Sequence, residues 1–212
     1  SVRDVFQQNH MDKLIGSYGI GHVRYPTAGG TGKEFAQPMY VNSPYGISLA
    51  HNGNLTNSKE LANELFHAEM RHLNTDSDSE VLLNIFAHEL AKQREIYPSA
   101  DHIFKAVAKT HRRCDGAYAV IALITGHGIL AFRDNNAIRP LSIGIRKGKS
   151  RDEYIVASED ALFKSQGFEK LRDIEPGEAI FIDKNGNLFS QQCADEPRKR
   201  PVSYTHLRAP RR

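Results

Sequence analysis

The chain has 212 residues, of which 40% are hydrophobic, 25% charged and 8% aromatic, a composition typical of one globular domain. This composition excludes collagen-like, disulfide-rich and intrinsically disordered proteins. The longest apolar stretch, residues 117–124, is too short to cross a bilayer, so we expect no membrane partner. Cys114 and Cys193 lie far apart without CxxC spacing, which excludes a cysteine-built zinc site and favours a reducing, cytoplasmic location.

The formal net charge of +3 originates at the C-terminal end of the chain. Residues 198–212 hold 6 of the 28 basic residues and none of the 25 acidic ones, so residues 1–197 carry a net charge of −3. The basic segment has two prolines and no hydrophobic periodicity, which predicts a disordered or non-native tail. A tail that bound nucleic acid would do so with strong salt dependence, but we expect no nucleic-acid partner.

The predicted elements begin with an apolar pattern over residues 2–15, compatible with part of a helix. Residues 18–25 read as a strand, which a glycine-rich loop ends. Residues 39–41 and 47–50 flank a turn-rich pentapeptide and predict a hairpin. Asn52-Gly53 then predicts a second sharp turn.

Three helices are predicted in the middle of the chain. Asn57 with Glu60, and Ser77 with Glu80, have the spacing of capping boxes, and each pair precedes an amphipathic run. Asp101 is predicted to cap the third helix.

From residue 116 the pattern changes to strand periodicity. Four strands predict an antiparallel meander, namely residues 117–125, 128–133, 141–146 and 154–157. Ser158 is predicted to cap a short helix to Ser165, and residues 179–182 and 188–191 form a final hairpin. The order of strands, helices and strands predicts an α+β fold rather than a parallel βαβ sheet.

Four polar clusters lie where strands or hairpins meet loops. Residues 134–140 are interpreted as a structural turn with a basic residue at its end, and each of the other three clusters has a chemical and a purely structural interpretation. Arg24 and Thr27 could offer a guanidinium fork and a hydroxyl to a carboxylate or phosphate, or simply precede a turn. Asn52 and Gly53 could present two N–H donors to an oxyanion, although Asn-Gly is also a common tight-hairpin pair. Asp78 could hold an ammonium group or interact favourably with the helix dipole.

Other kinds of site are excluded by spacing. The ten histidines show no metal-ligand spacing backed by carboxylates, so we expect no metal in this chain. The glycines near the first strand do not precede a helix, as a phosphate-binding loop requires. Neither Cys114 nor Cys193 lies in a motif with a nearby base, so neither is assigned as a nucleophile.

Taken together, collinear motifs along the chain resemble the glutaminase domain of the glutamine phosphoribosylpyrophosphate amidotransferases. The matching segments are residues 21–29, 37–38, 51–57, 77–80, 131–134, 138–141, 156–159 and 173–179, and the match continues to Cys193. So many matches in the same order are far more specific than one short motif.

The resemblance implies an N-terminal-nucleophile hydrolase fold, a four-layer αββα sandwich, in which an N-terminal cysteine attacks the side-chain amide of glutamine. It implies that Arg24 and Thr27 bind the α-carboxylate of glutamine. It further implies that Asn52 and Gly53 form the oxyanion hole and that Asp78 binds the α-ammonium group. The cysteine-led strand of the family has no counterpart in this sequence, so we expect the sandwich to be incomplete at the N-terminus.

The resemblance also implies partners outside this chain. Ammonia would pass to a phosphoribosyltransferase domain and react with phosphoribosyl pyrophosphate, the first step of purine synthesis, with Mg²⁺ needed there and the full-length protein a homo-oligomer. We therefore expect residues 1–197 to be a glutaminase domain without its first strands, inactive alone and without a cofactor of its own. The alternative is a non-catalytic module that binds glutamine or a partner chain.

Overall fold

A computed structural model of the chain describes residues 6–23, 32–149 and 151–195. The predicted site residues Arg24 and Thr27 and the basic tail lie outside these residues. The helices are α1 (Gln8–Met11), α2 (Ser58–His67), α3 (Asp78–Ala91) and α4 (Ala100–Arg113). The strands are β1 (Met39–Val41), β2 (Ile47–Leu55), β3 (Gly116–Ile124), β4 (Gly128–Arg133), β5 (Ser142–Arg146), β6 (Glu153–Ala157), β7 (Glu169–Asp173), β8 (Glu178–Asp183) and β9 (Leu188–Gln192).

The strands form two antiparallel sheets. The larger sheet has six strands in the order β1-β2-β3-β4-β8-β9, and the smaller has three in the order β6-β5-β7. The predicted meander is correct for the pairs β3–β4 and β5–β6. It is wrong between β4 and β5, because β4 pairs next with β8 while β5 and β6 belong to the second sheet. Local alternation locates strands but does not determine which distant strand completes a sheet.

Alternation along the strands of the large sheet gives it two apolar faces. One face packs against α2, α3 and α4 in what we call the helix-side core, which includes Leu49, Leu82, Phe86, Val120, Leu130 and Phe132. The other face contributes to a smaller inter-sheet cluster, formed by Ala119, Ala131, Leu141, Ile143, Ile174 and Ile180. The layer order of helices, large sheet and small sheet confirms the predicted α+β class.

The outer face of the small sheet is covered by a single helical turn. Residues Lys164–Gln166 form a 3₁₀ turn that Gly167 ends at φ 76°, as the C-terminal glycine predicts, but the expected helix from Ser158 is absent. A Cβ on Gly144 of β5 would lie 2.8 Å from the Phe163 ring, so that ring packs directly on the sheet backbone. None of the described helices is long and apolar enough to span a membrane.

Helix α3 is the central helix, with 11 of its 14 residues buried. Ser77 caps it by accepting a hydrogen bond from the Ser79 N–H at 3.3 Å. Asn57 does not cap α2 with its side chain, which donates instead to the Arg113 carbonyl at 2.8 Å. Helix α4 is capped by Ser99 rather than by the predicted Asp101, which lies inside its first turn.

The N-terminal predictions are only partly met. The apolar pattern over residues 2–15 yields one described helical turn, α1, with no buried residue. Residues 18–23 are not a strand, and residues 24–25 lie outside the described part. Gly19 and Gly21 offer no side chain to pack and a flexible backbone, which weakens strand formation there.

Candidate functional site

A polar cleft of about 610 Å³ lies at the end of the large sheet. It is lined by residues 51–54 of β2, residues 76–79 at the start of α3, and residues 139–140 and 158–159 from the side of the small sheet. Three of the residues predicted from the sequence, Asn52, Gly53 and Asp78, therefore share one cleft. Asn52 and Gly53 are distant from Asp78 in the sequence, and the fold brings the three residues together.

The cleft is built on an open edge of β2. Among the described residues, β1 pairs only with residues 47–49 of this strand. Beyond them the His51 N–H donates to Gln37 Oε1 at 2.7 Å, and the Leu55 N–H donates to Asp78 Oδ2 at 3.0 Å. Alternate residues of a strand direct their backbone groups to the same edge, so the N–H and C=O of Gly53 point outward between these two bonds.

Asn52-Gly53 is not a turn, contrary to the sequence-based expectation, because both residues lie within β2. Gly53 has φ 145°, and a Cβ there would lie 1.9 Å from the Ala117 carbonyl oxygen on the paired strand. The glycine is therefore required by the close approach of β3 and by its backbone conformation, not by a reversal of the chain.

The Asn52 side chain lies on the opposite face of β2 from His51, because side chains alternate along a strand. It is half-buried and lines the cleft. Its amide has no hydrogen-bond partner within residues 6–23, 32–149 and 151–195, so its N–H groups are available to a ligand oxygen. Together, Asn52 and Gly53 place a side-chain donor and a backbone donor at the same strand edge.

Asp78 is the first residue of α3 and is held against β2 by the Leu55 N–H. A carboxylate accepts several hydrogen bonds, so this contact leaves capacity for a cationic ligand. Its position is stabilised by the preceding loop, where Glu80 accepts four hydrogen bonds from Asn74 and Thr75 at 2.7–3.0 Å. Glu80 therefore orders the loop instead of completing the predicted capping box with Ser77.

His51 also belongs to the cleft, and no role was predicted for it from the sequence. Burial lowers the pKa of its imidazole, the negative charge of Asp78 opposes this effect, and the charges of His22 and Arg139 reinforce it. The ring is therefore neutral at physiological pH. Its position directly before Asn52, at the start of the matching segment 51–57, is the sequence signal that points to it.

A second missed contribution comes from the loop after β4, whose residues 134–140 read as a simple turn. Arg139 in this loop lines the cleft. The buried Arg133 guanidinium donates to the carbonyls of Ala137 and Ile174, which fixes the loop against the small sheet. The cleft thus receives one cationic side chain from the side opposite α3.

The described residues contain one cluster of three side chains that could hold a metal ion, Glu69, His88 and Glu89. The Arg113 guanidinium contacts both carboxylates, at 2.8 Å from Glu69 and 2.7 Å from Glu89. A cation already neutralises the acidic groups, so this cluster does not fit a divalent metal. The arrangement joins the turn after α2 to α3 and α4.

Comparison with known proteins identifies relatives of the chain. The sequence pattern of the family described as glutamine amidotransferase domain matches residues 30–165. The amidophosphoribosyltransferases of Pseudomonas aeruginosa and Escherichia coli are each 56% identical to it, and each alignment covers 97% of this chain and 41% of the relative. The chain thus spans about two fifths of the length of these curated relatives.

A solved structure of glutamine phosphoribosylpyrophosphate amidotransferase from Bacillus subtilis, complexed with ADP and GMP, has the same fold. It is 33% identical, superposes with a TM-score of 0.64, and the match covers 83% of this chain and 35% of that one. The resemblance inferred from the motifs is confirmed, and so is the N-terminal-nucleophile hydrolase fold that it implied.

Proposed function

Because the chain belongs to the glutamine amidotransferase domain family, we propose that it is the glutaminase part of an amidophosphoribosyltransferase, which releases ammonia from glutamine. The observation that carries this proposal is the open edge of β2, where the Gly53 N–H points outward between two occupied N–H groups. Such an edge offers a fixed donor to an oxygen atom that gains negative charge during a reaction.

Attack on a side-chain amide converts its carbonyl oxygen into an oxyanion. The Gly53 N–H and the Asn52 amide would stabilise that oxyanion, and both are held by the strand before the reaction begins. Loss of one such donor typically lowers the rate by about 10²–10³-fold. These two residues therefore act on the transition state more than on the bound substrate.

The amino-acid end of glutamine carries one positive and one negative charge. Asp78 would bind the α-ammonium group, with the Gly53 carbonyl on the same strand edge as a second acceptor. Arg24 and Thr27 would bind the α-carboxylate, as the family resemblance implies. This division of roles orients the side-chain amide towards Asn52.

Neither cysteine of this chain acts as the nucleophile. Burial raises the pKa of Cys114 and of Cys193 to about 12, so both remain thiols at neutral pH. A thiol is a poor nucleophile compared with a thiolate. The reaction would use the N-terminal cysteine that the resemblance implies, and without it residues 1–197 would not turn glutamine over. The alternative function is a non-catalytic module that binds glutamine or a partner chain.

The remaining partners belong to the whole protein. We propose that the ammonia reacts with phosphoribosyl pyrophosphate on a phosphoribosyltransferase domain that requires Mg²⁺, in a cytoplasmic homo-oligomer. The names of the curated relatives support this proposal. Their length supports it too, since this chain covers 41% of them.

The test measures glutamine turnover in full-length amidotransferase that carries residues 1–197 of this chain. Asn52→Ala should lower kcat by about 10²–10³-fold with a nearly unchanged KM, since the lost donor acts on the transition state. The matched control is Asn185→Ala, which removes an exposed amide in the turn between β8 and β9, away from the cleft. Equal turnover in wild type and Asn52→Ala would reject the oxyanion role.

Glutamine binding to the 212-residue chain is measured separately by calorimetry. Asp78→Asn should weaken binding by at least tenfold, because the ammonium group loses its charged partner. Asp101→Asn is the control, because Asp101 is an exposed carboxylate in the first turn of α4 and lies outside the cleft. Tight binding without any turnover in the longer protein would favour the non-catalytic alternative.

A further inference from the structure

Three polar residues in the wall of the cleft form a closed ring of hydrogen bonds through their side chains and one backbone N–H. The His51 N–H donates to Gln37 Oε1 at 2.7 Å, and Gln37 Nε2 donates to Ser79 Oγ at 3.0 Å. The ring closes between Ser79 Oγ and His51 Nδ1, also at 3.0 Å. The three residues come from the segment before β1, from β2 and from the start of α3, so the ring joins three separate parts of the chain.

Two of the three residues are buried in a place where apolar side chains would be expected, and Gln37 is half-buried. His51 is 4% exposed and Ser79 is 2% exposed. On β2, His51 has the same orientation as Leu49 and Leu55, which belong to the helix-side core. Burial of polar groups lowers stability unless they are paired, so packing alone does not explain these residues.

The imidazole contacts the Ser79 hydroxyl through Nδ1, and a backbone contact with Ala117 also acts on the ring. His51 Nε2 is buried and has no hydrogen-bond partner among the described residues, so Nδ1 makes the side-chain contact. The neutral ring has one unprotonated nitrogen, and the Ser79 hydroxyl has one hydrogen left after accepting from Gln37. With Nδ1 as the unprotonated nitrogen, each of the three contacts has one donor hydrogen and one acceptor. All three hydrogen bonds can therefore form at the same time.

Two members of the ring are directly adjacent in sequence to residues of the cleft. His51 precedes Asn52, and Ser79 follows Asp78. The ring therefore connects the strand that carries the oxyanion donors to the helix that carries the carboxylate. A second connection, from the Leu55 N–H to Asp78 Oδ2 at 3.0 Å, lies on the other side of Gly53.

We propose that His51, Gln37 and Ser79 are positioning residues for glutamine hydrolysis. They set the distance and angle between Asp78, which holds the amino-acid end of glutamine, and the donors of Asn52 and Gly53. This inference rests on the proposed function. A displaced donor loses transition-state stabilisation, while Asp78 still binds the substrate, so disruption of the ring lowers kcat more than it raises KM.

The experiment uses full-length amidotransferase that carries residues 1–197, with glutamine as the substrate. Ser79→Ala and His51→Leu should each lower kcat by 10-fold or more while KM changes by less than about threefold. His51→Asn, which can place a polar atom near the Nδ1 position, should recover a large part of the lost kcat. Because the three residues act as a unit, Gln37→Leu combined with Ser79→Ala should lower kcat little further than either change alone.

A control separates positioning from general loss of stability. Thr110 is fully buried, and its hydroxyl bonds the Ala106 carbonyl within α4. Thr110→Val and Ser79→Ala each remove one buried hydroxyl group. Thr110→Val should lower the melting temperature without changing kcat. Ser79→Ala should lower kcat at a temperature where both variants are folded.

Two results would overturn the inference. The first is a wild-type kcat in folded Ser79→Ala and His51→Leu, which would make the ring a packing feature. The second is a raised KM with an unchanged kcat, which would make it part of substrate binding. Asn52→Ala, assayed in parallel, reports on the oxyanion role itself, so failure of the proposed function is seen independently of the ring variants.

Discussion

The two faces of the six-stranded sheet are built differently. On the helix side, Leu130 and Phe132 of β4 are fully buried beneath α3 and α4. On the other side, the same strand presents Ala131 to a small cluster and Ile129 to a groove of about 400 Å³ between the sheets. Adjacent residues of one strand therefore lie in a dense core and beside a groove.

The cleft lies where these two environments meet. His51 points into the helix-side core, and Asn52, the next residue, points towards the small sheet. The backbone of the site is thus held from the densely packed side, while the substrate side is bounded by more exposed loops such as that of Arg139. Fixed donors and an accessible substrate side are the two requirements for catalysis by a preorganised site.

The largest expected effect lies on the helix side. Leu130→Ala should lower the free energy of unfolding by about 3–4 kcal/mol, because a fully buried leucine is replaced and its neighbours relax only partly. Urea denaturation of the 212-residue chain measures this difference. Leu130→Met, which nearly conserves volume, should cost less than about 1.5 kcal/mol. Equal losses in the two variants would contradict the dense-core description.

Many strands of the large sheet were predictable, because the alternation of apolar and polar residues that indicates a strand is a local pattern. Strand periodicity located β3, β4 and β8 to within about two residues, since a period of two is visible in a single segment. Strand β7, residues 169–173, was missed because its sequence is mostly charged and its side chains are largely exposed. The pairing of β4 with β8 joins residues about fifty positions apart, and no local pattern records such a partner.

The site shows the same division between local and distant information. Asn52, Gly53 and Asp78 were predicted from residue type and from family motifs, and the fold brings them into one cleft. Their catalytic roles stay predictions. Gly53 was misread as a turn because the atom that requires a glycine, the Ala117 carbonyl oxygen, belongs to a different strand. The polar ring was missed for a similar reason, since its members meet only after folding.

The second prediction concerns a charged group at the edge of the helix side. Burial alone would raise the pKa of Glu89, but hydrogen bonds from Lys92 and Arg113 outweigh it and lower the pKa. Arg113→Leu should therefore reduce the free energy of unfolding by about 3 kcal/mol at neutral pH, because Glu69 and Glu89 lose their shared cation. The exposed neighbour is the control, and Arg112→Leu should have little effect.

The acid dependence of that variant provides a further check. At low pH the carboxylate of Glu89, whose pKa Lys92 and Arg113 lower, becomes protonated and no longer needs the guanidinium, so the difference between Arg113→Leu and wild type should shrink. A difference that stays constant from pH 7 to pH 3 would show that Arg113 contributes through packing alone.

The third prediction is a pH effect within the helix-side core. Burial lowers the pKa of His111 to about 4, and its Nδ1 lies 2.8 Å from the Tyr118 hydroxyl. The unfolded chain has an ordinary histidine pKa of about 6.5 and therefore binds a proton more readily than the folded chain does. The stability associated with neutral His111 is complete above about pH 6.5 and is lost as the pH falls towards 4. The total decrease in the free energy of unfolding from this effect is about 3 kcal/mol.

His111→Asn isolates this contribution. The amide does not titrate, and it can keep a polar contact with the Tyr118 hydroxyl. Urea denaturation of both chains between pH 7 and pH 4 should show that the unfolding free energy of wild type falls more steeply than that of the variant. Parallel pH curves would mean that His111 is protonated in the folded chain or remains neutral when unfolded.

The smallest effect is expected beside the groove. Ile129 precedes Leu130 but is only partly buried, so Ile129→Ala should reduce the free energy of unfolding by about 1 kcal/mol. The two side chains are isomers and are removed from adjacent positions of the same strand, so the number of carbon atoms deleted is equal in the two variants. Urea denaturation of both chains under identical conditions gives that difference directly. If Ile129→Ala cost as much as Leu130→Ala, the groove face would contribute to stability as strongly as the helix-side core, and the site would be held firmly from both sides.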